Sequence, residues 1–244
     1  MTTALRTLRT HPLEPTLRRF ATLAALNPDE IGIVERLADT REEQQSGSEL
    51  VTERVAVRAP RLIVSGWAVR QRLLPDGRRQ IFSFLIPGDG VALSNRDRPT
   101  ALASTVAMTR LETVDASALI AAASDRAAYP GLAAVLDVSS RVDEARLLDN
   151  ITRLGRQTAY ERVAHLLLEL RDRLGVVGQA DGQRFPLPAT QEVLADALGL
   201  SVVHVNRILQ QLRREKLIQY QSSRVTLLNS GVLASIADYR PTGP

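Results

Sequence analysis

The 244-residue sequence has no cysteine. That absence removes disulfide staples, thiolate nucleophiles and cysteine-held iron–sulfur clusters together. Only three histidines are present, His11, His165 and His204, and they lie too far apart in sequence to pair at metal-ligand spacing. No apolar run approaches the roughly 20 residues of a membrane span. The start, "MTTALRTLRTHPLEPTLRRF", carries arginines but not the continuous apolar stretch of a signal peptide. A cytoplasmic protein with no membrane partner is therefore expected. Solenoid repeats and low-complexity tracts are missing too. So are a Gly-x-Ser-x-Gly elbow, a P-loop and a metal-ligand set, and the carboxylates are spread as ordinary surface charge, so no enzyme is expected. Lysine is nearly absent: of 31 basic residues all but Lys216 are arginine, against 27 acidic ones. The formal net charge of +4 weakly favours a nucleic-acid partner. Arginine offers a planar fork for phosphate or guanine, although genome composition explains the bias equally well.

What is present divides into three segments. Residues 40–114 read as short strands. "RLIVSGWAVRQRLL" (61–74) places Trp67, Val69, Gln71 and Leu73 on one side of a period-two pattern. "PDG" (75–77) is turn chemistry, "RRQIFSFLI" (78–86) returns as the second arm, and "PGDG" (87–90) ends it. Successive strands of this kind imply an antiparallel sandwich or barrel. Ahead of them "NPDEIGIVERLAD" (27–39) predicts a helix with Asn27 as N-cap and Pro28 in its first turn. From Gly131 to about Leu154 the period changes: Val135, Val138, Val142, Ala145, Leu148 and Ile151 recur at three or four residues. This stripe fits a coiled-coil seam, and it equally fits a helix packed on its own β domain. Gly155 is expected to interrupt the run before "TAYERVAHLLLELRDRL" (158–174) starts a second helix, with His165 at a core edge. In the last segment Thr190 can cap "QEVLADAL" (191–198), Gly199 permits a sharp turn and Ser201 caps the next helix. "LIQY" (217–220) and "VTLL" (225–228) flank "QSSR" as a two-stranded wing, and Asn229 caps a last short helix.

The helix after Ser201 carries the chemistry. Projected at about 100° per residue, Val205, Ile208, Leu209 and Leu212 share one narrow arc, the face expected to be buried. Val203, Asn206, Arg207, Gln210 and Arg214 point the other way, with Val202 at the flank. Such a face suits the major groove of DNA. There arginine bonds guanine O6 and N7, asparagine bonds adenine, and a compact aliphatic group meets the thymine methyl. Ala195 lets two helices cross closely and Val205 packs the second on the first, as a helix-turn-helix requires. Two other readings stand beside it. One is an ordinary helical pair with scattered surface valines. The other is a ligand-binding regulatory module whose helical tail docks a protein partner through a valine patch.

"TQEVLADALGLSVVHVNRILQQLRREKLI" (190–218) resembles the helix-turn-helix signature of the Crp/Fnr superfamily of bacterial transcription regulators. "GWAVRQRLLPDGRRQIFSFLIPGDG" (66–90) is similar to the β-roll of that family's sensor domain, and the likeness extends over nearly the whole chain. The resemblance implies an α+β fold in three parts. These are an N-terminal helix and antiparallel β-roll of the double-stranded β-helix or jelly-roll type (1–129), a long dimerisation helix with a hinge at Gly155 (130–156), and a winged helix-turn-helix (157–244). It also implies a homodimer on palindromic promoter sites of double-stranded DNA, with RNA polymerase as a further partner.

Carried over residue by residue, Arg207 matches an arginine the family sets on a base. Val202 and Val203 fall where members often carry an arginine, a glutamate or a neutral residue. Val203 thus departs from members whose glutamate accepts from cytosine N4. His204 and Asn206 match an "HVNR" variant found in part of the family. Thr190 and Gln191 stand where members touch phosphates, and Ser201 is counted with them; Glu192 would repel a phosphate and is read as serving the fold. Arg213, Arg214, Lys216 and Arg224 are either further phosphate contacts or solvated charges. In the sensor part, cyclic-nucleotide-binding members carry a glycine–glutamate pair and an arginine–serine (or threonine) pair. Here Gly88-Asp89 and Arg98-Pro99-Thr100 are a near miss, because the proline lacks an N–H for phosphate. Cyclic AMP and cyclic GMP are therefore not expected. An iron–sulfur cluster is excluded for want of cysteine, and haem finds no histidine between residues 40 and 125. The effector is another small molecule or none.

Overall fold

A computed structural model of the chain describes residues 11–94 and 99–241; Arg98 and the first ten residues, on which parts of the reading above fall, lie outside them. The described residues form two compact units. One comprises the chain up to Arg70 together with Phe84–Arg141, the other Gln71–Ser83 together with the chain from Val142 onward.

The first unit opens with helices α1 (Glu14–Leu23) and α2 (Pro28–Arg36), the second continued by a 3-10 turn, Leu37–Thr40. α2 starts as its sequence dictates. Asn27 Oδ1 accepts from the Glu30 amide at 2.9 Å, and the Glu30 carboxylate accepts from the Asn27 amide at 2.8 Å. That carboxylate is buried and also accepts from the Gly131 and Leu132 amides at 2.7 and 3.1 Å. One side chain thus satisfies orphan donors at the starts of two helices.

The strands are β1 (Glu42–Gln44), β2 (Glu49–Val51), β3 (Arg61–Ser65), β4 (Ala68–Leu73), β5 (Arg79–Leu85), β6 (Gly90–Val91), β7 (Ser104–Ala107) and β8 (Leu111–Asp115). Among the described residues they build two four-stranded sheets, in the orders β1-β8-β3-β6 and β2-β7-β4-β5. The pairings β1–β8, β3–β8, β3–β6 and β2–β7 are antiparallel. β3 is buried on both faces. Leu62 and Val64 pack with α1, α2, α3 (Ser117–Ser124) and the start of α4 (Pro130–Arg156). Ile63 points the other way, into a cluster with Val51, Ala68, Leu85, Val91, Ala107 and Leu111 drawn from both sheets. Each fully buried aliphatic side chain contributes about 1.5–3 kcal/mol.

The stretch 61–74 does not alternate as a single strand. At Gly66, with φ of +81°, the chain leaves one sheet for the other, and a Cβ there would lie 2.2 Å from the Arg110 carbonyl oxygen. Trp67 and Val69 are buried, and so is Ala68 between them, whereas Leu73, on the same side of the pattern, is 67% exposed at the end of its strand. The helical period fares better, with one correction. α4 runs unbroken to Arg156, so Gly155 lies inside it rather than interrupting it. An internal glycine costs only about 1 kcal/mol. The boundary falls instead at Gln157–Thr158. There Thr158 and Glu161 form a capping box that starts α5 (Ala159–Val176), with the Thr158 amide donating to Glu161 Oε2 at 2.7 Å. Along α4, Val135 and Val142 are buried, while Leu148 and Ile151 are 58% and 66% exposed.

The second unit contains the distal part of α4, α5, β9 (Arg184–Pro186), α6 (Gln191–Leu198), α7 (Val202–Arg214), β10 (Ile218–Gln221), β11 (Arg224–Leu227) and α8 (Ser230–Ala237). The wing is three-stranded, in the order β10-β11-β9, not two-stranded. β9 is too short to show a period, and its partner lies some forty residues along the chain. Asn229 caps α8 as expected, accepting from the Val232 amide at 3.1 Å. Between α4 and α5 lies an enclosed ion cluster: Arg153 and Arg173 each place Nη1 on Glu169, at 3.0 and 3.1 Å. His165 is buried with its ring edge-on to Tyr239, the centroids 5.1 Å apart. Burial, then the Arg153 charge, lowers its pKa, so it serves as a neutral core-edge group.

Candidate nucleic-acid interface

The interface is built on α6 and α7. At the start of α6 the exposed Thr190 accepts from the Val193 amide at 3.2 Å through its hydroxyl oxygen. The hydroxyl hydrogen remains free to donate outward. Gln191 is half-buried beside it and Glu192 is exposed. The helix ends at Gly199, whose φ of +62° is the left-handed turn that a β-carbon disfavours. Ser201 then caps α7, its Oγ accepting from the His204 amide at 3.2 Å.

α7 is two-sided, as its period requires. Val205, Ile208, Leu209 and Leu212 are all buried, as are Leu194, Ala195 and Leu198 of α6, the helix that α7 contacts. Val202 is 43% exposed and Val203 69%. His204, Arg207, Gln210, Arg213 and Arg214 are exposed with them, and Asn206 is half-buried. Gln210 Nε2 donates to Asn206 Oδ1 at 3.0 Å. No carboxylate occurs anywhere in Val202–Arg214, so the exposed face carries cationic, neutral polar and apolar groups and no anion. The first acid after it, Glu215, is held by the Tyr160 hydroxyl and by Gln211 Nε2. The Tyr160 bond in particular lowers its pKa. Lys216 and Arg224 are exposed nearby, Arg224 at the tip of the wing.

Several residues that position this pair escape a sequence reading. Arg162 of α5 donates from Nη1 to the Leu198 carbonyl at 3.0 Å, capping the end of α6. Tyr220 of the wing donates to the Ala189 carbonyl at 3.2 Å, just before α6. Within the same unit, Arg79 Nε donates to Asp196 Oδ2 at 2.7 Å and Gln80 Nε2 to the Asp196 carbonyl at 3.1 Å. These links span up to 117 residues of sequence, and no local pattern announces them.

In the β-roll, the carboxylate of the Gly88-Asp89 near miss is already engaged. Asp89 is buried, ion-paired to Arg19 of α1, and its Oδ2 accepts from the Ile86 amide at 2.8 Å. The Pro99 carbonyl accepts from the Val57 amide at 2.8 Å, and Thr100 bridges Ala56. Among the described residues no helix is long and apolar enough to cross a membrane.

Comparison with known proteins bears on the same segment. The sequence profile of the Crp-like helix-turn-helix domain matches residues 161–236. The chain is 35% identical over 182 residues to the nitrogen fixation regulation protein FixK of Azorhizobium caulinodans, covering 75% of this chain and 70% of that protein. It is 30% identical over 225 residues to FixK of Bradyrhizobium diazoefficiens, covering 91% of each. Among solved structures it is similar to FixK2 from Bradyrhizobium japonicum, with a TM-score of 0.72 at 27% identity, over 82% of this chain and 98% of that one.

Proposed function

The chain belongs to the Crp/Fnr family of bacterial transcription regulators, and from this premise we propose that it binds an inverted repeat in promoter DNA as a homodimer, reading each half-site with α7. The observation that carries the reading is the two-sided helix. Four residues complete its buried face, and everything on the opposite face can bond or touch a base edge. Arg207 is assigned to guanine. Val202, Val203, His204 and Asn206 line the groove beside it. Thr190, Gln191, Ser201, Arg213 and Arg214 face the phosphates, which position the helix without specifying sequence.

Dimerisation is assigned to the distal half of α4, where Leu147, Leu148 and Ile151 are left exposed on one chain. A second copy covers that stripe as a coiled-coil partner. Two-fold symmetry then sets the recognition helices about 34 Å apart, in successive major grooves. The functional division follows the chain: a roll up to residue 129, a dimerisation helix over 130–156, and the DNA-binding part from 157. The protein works in the cytoplasm on promoters served by RNA polymerase.

Selection from a genomic fragment library at physiological salt tests the reading. A common palindrome is expected. Arg207→Ala is expected to lose about 1–3 kcal/mol and to relax preference at one base pair. Recovery of no common site, or DNA affinity that does not fall steeply with salt, overturns the proposal in favour of a protein-docking tail.

A further inference from the structure

We infer that this chain reads the 5-methyl groups of thymine through Val203, with Val202 beside it, within two base pairs of the guanine assigned to Arg207. The inference rests on the proposed DNA reading and specifies the chemistry of its target.

Val202 and Val203 are the first two residues of α7, the end of a recognition helix that meets base edges. They are 43% and 69% exposed, although the buried face of the helix is already complete without them. Nothing about helix stability asks for them either. β-branched residues are indifferent helix formers, and the first turn favours an acidic side chain instead. A valine side chain has neither donor nor acceptor. Among the groups that base pairs display in the major groove, the apolar one is the thymine methyl. A cytosine opposite Val203 would present its N4–H to a side chain that cannot accept, and losing that donor's water disfavours it by on the order of tenfold. A thymine there gains a contact instead.

Two further features fix the neighbourhood. Val203 and Arg207 are four residues apart on one helical face, about 5–6 Å between Cβ atoms. Base pairs stack at about 3.4 Å, so the methyl and the guanine lie one or two steps apart. Between them along the helix, Asn206 uses its amide oxygen to accept from Gln210 Nε2 at 3.0 Å. That bond fixes the orientation of the Asn206 amide and leaves the second lone pair of its oxygen and its N–H donors for the groove.

The experiment uses the full chain. Its site is first selected from random duplex DNA. Each thymine of the half-site is then replaced singly by deoxyuridine, which deletes the methyl and leaves the hydrogen-bonding edge intact. One or two thymines within two base pairs of the Arg207-dependent guanine are expected to lose about fourfold in affinity each, the worth of one buried methyl. Val203→Ala, which keeps helix propensity, is expected to abolish the loss at one of them. Val203→Glu, compatible with a helix start, is expected to move the selected base from thymine to cytosine. A specific site indifferent to every uracil, or a uracil penalty unchanged in Val203→Ala, overturns the inference and leaves the proposed function standing. Recovery of no specific site overturns both.

Discussion

Replacing Glu169 by glutamine tests what holds the distal part of α4 to α5. The Glu169 side chain is 15% exposed and lies between Arg153 and Arg173, at 3.0 and 3.1 Å. Burial by itself raises its pKa, but Arg153, Arg173 and Arg146 outweigh that effect and hold it at about 2, against 4.5 for a free glutamate. At about 1.4 kcal/mol per pH unit, the difference is worth about 3 kcal/mol of folding stability at pH 7. Because the folded pKa lies below the unfolded one, this stability is present above about pH 4.5 and is lost as pH falls towards 2, with less than half of it remaining at pH 3. The anion also separates three cations. Burial and then repulsion from Arg173 already lower the Arg146 pKa to about 10. Glutamine keeps the shape and leaves the guanidinium groups uncompensated, so Glu169→Gln is expected to lose about 3–5 kcal/mol at pH 7. Urea unfolding at one fixed protein concentration, at pH 7 and pH 3, reads the difference. A loss below about 1 kcal/mol, the ceiling of a surface ion pair, refutes the reasoning, as does a loss equal at the two pH values.

Gly199→Ala is expected to lose about 1–2 kcal/mol, because φ of +62° is left-handed and the new methyl meets Leu154 Cδ2 at 3.3 Å. DNA affinity is expected to fall with it as the two helices lose their angle; unchanged stability and affinity would show that the turn is not strained by a side chain. Ser223→Gly points the other way. Ser222 and Ser223 form the two-residue wing turn with φ of 50° and 56°, so a glycine is expected to stabilise the fold by about 1 kcal/mol, and a lowered Tm would contradict this.

How much could be read in advance follows from how local each cause is. The faces of α7 were legible residue by residue. A helix buries what its period aligns, and Val205, Ile208, Leu209 and Leu212 needed no partner to be identified. The caps Asn27, Thr190, Ser201 and Asn229 are local too, and all four accept the amides they were expected to accept. The helix boundary lies not at Gly155 but at Thr158-Ala-Tyr-Glu161, a capping box legible in the sequence, because a good cap sets a boundary that a tolerated glycine does not. The long helix admitted two readings because period alone does not say what covers a stripe. Its early residues Leu132 and Val135 pack within their own unit, whereas Leu148 and Ile151 do not. The switch of sheet at Gly66, the strand Arg184–Pro186, the Glu169 cluster and the Arg79–Asp196 pair all depend on contacts made by the folded chain. Apart from the glycine itself and the i,i+4 pair Glu169–Arg173, nothing in their own neighbourhoods encodes them.

The same locality explains why, on the proposed reading, specificity at α7 can change while the fold is kept. The buried face and the two caps use Thr190, Ser201, Val205, Ile208, Leu209 and Leu212, and changing any of these alters stability directly. Val202 and Val203 belong to neither set and are 43% and 69% exposed. At such exposed helix positions, substitutions generally shift stability by no more than about 0.5 kcal/mol. One methyl or one bidentate pair changes discrimination between bases by about 1–3 kcal/mol. On the proposed reading, the DNA sequence recognised is therefore set by residues that the scaffold itself does not constrain, and a valine at position 203 changes the message rather than the structure that carries it.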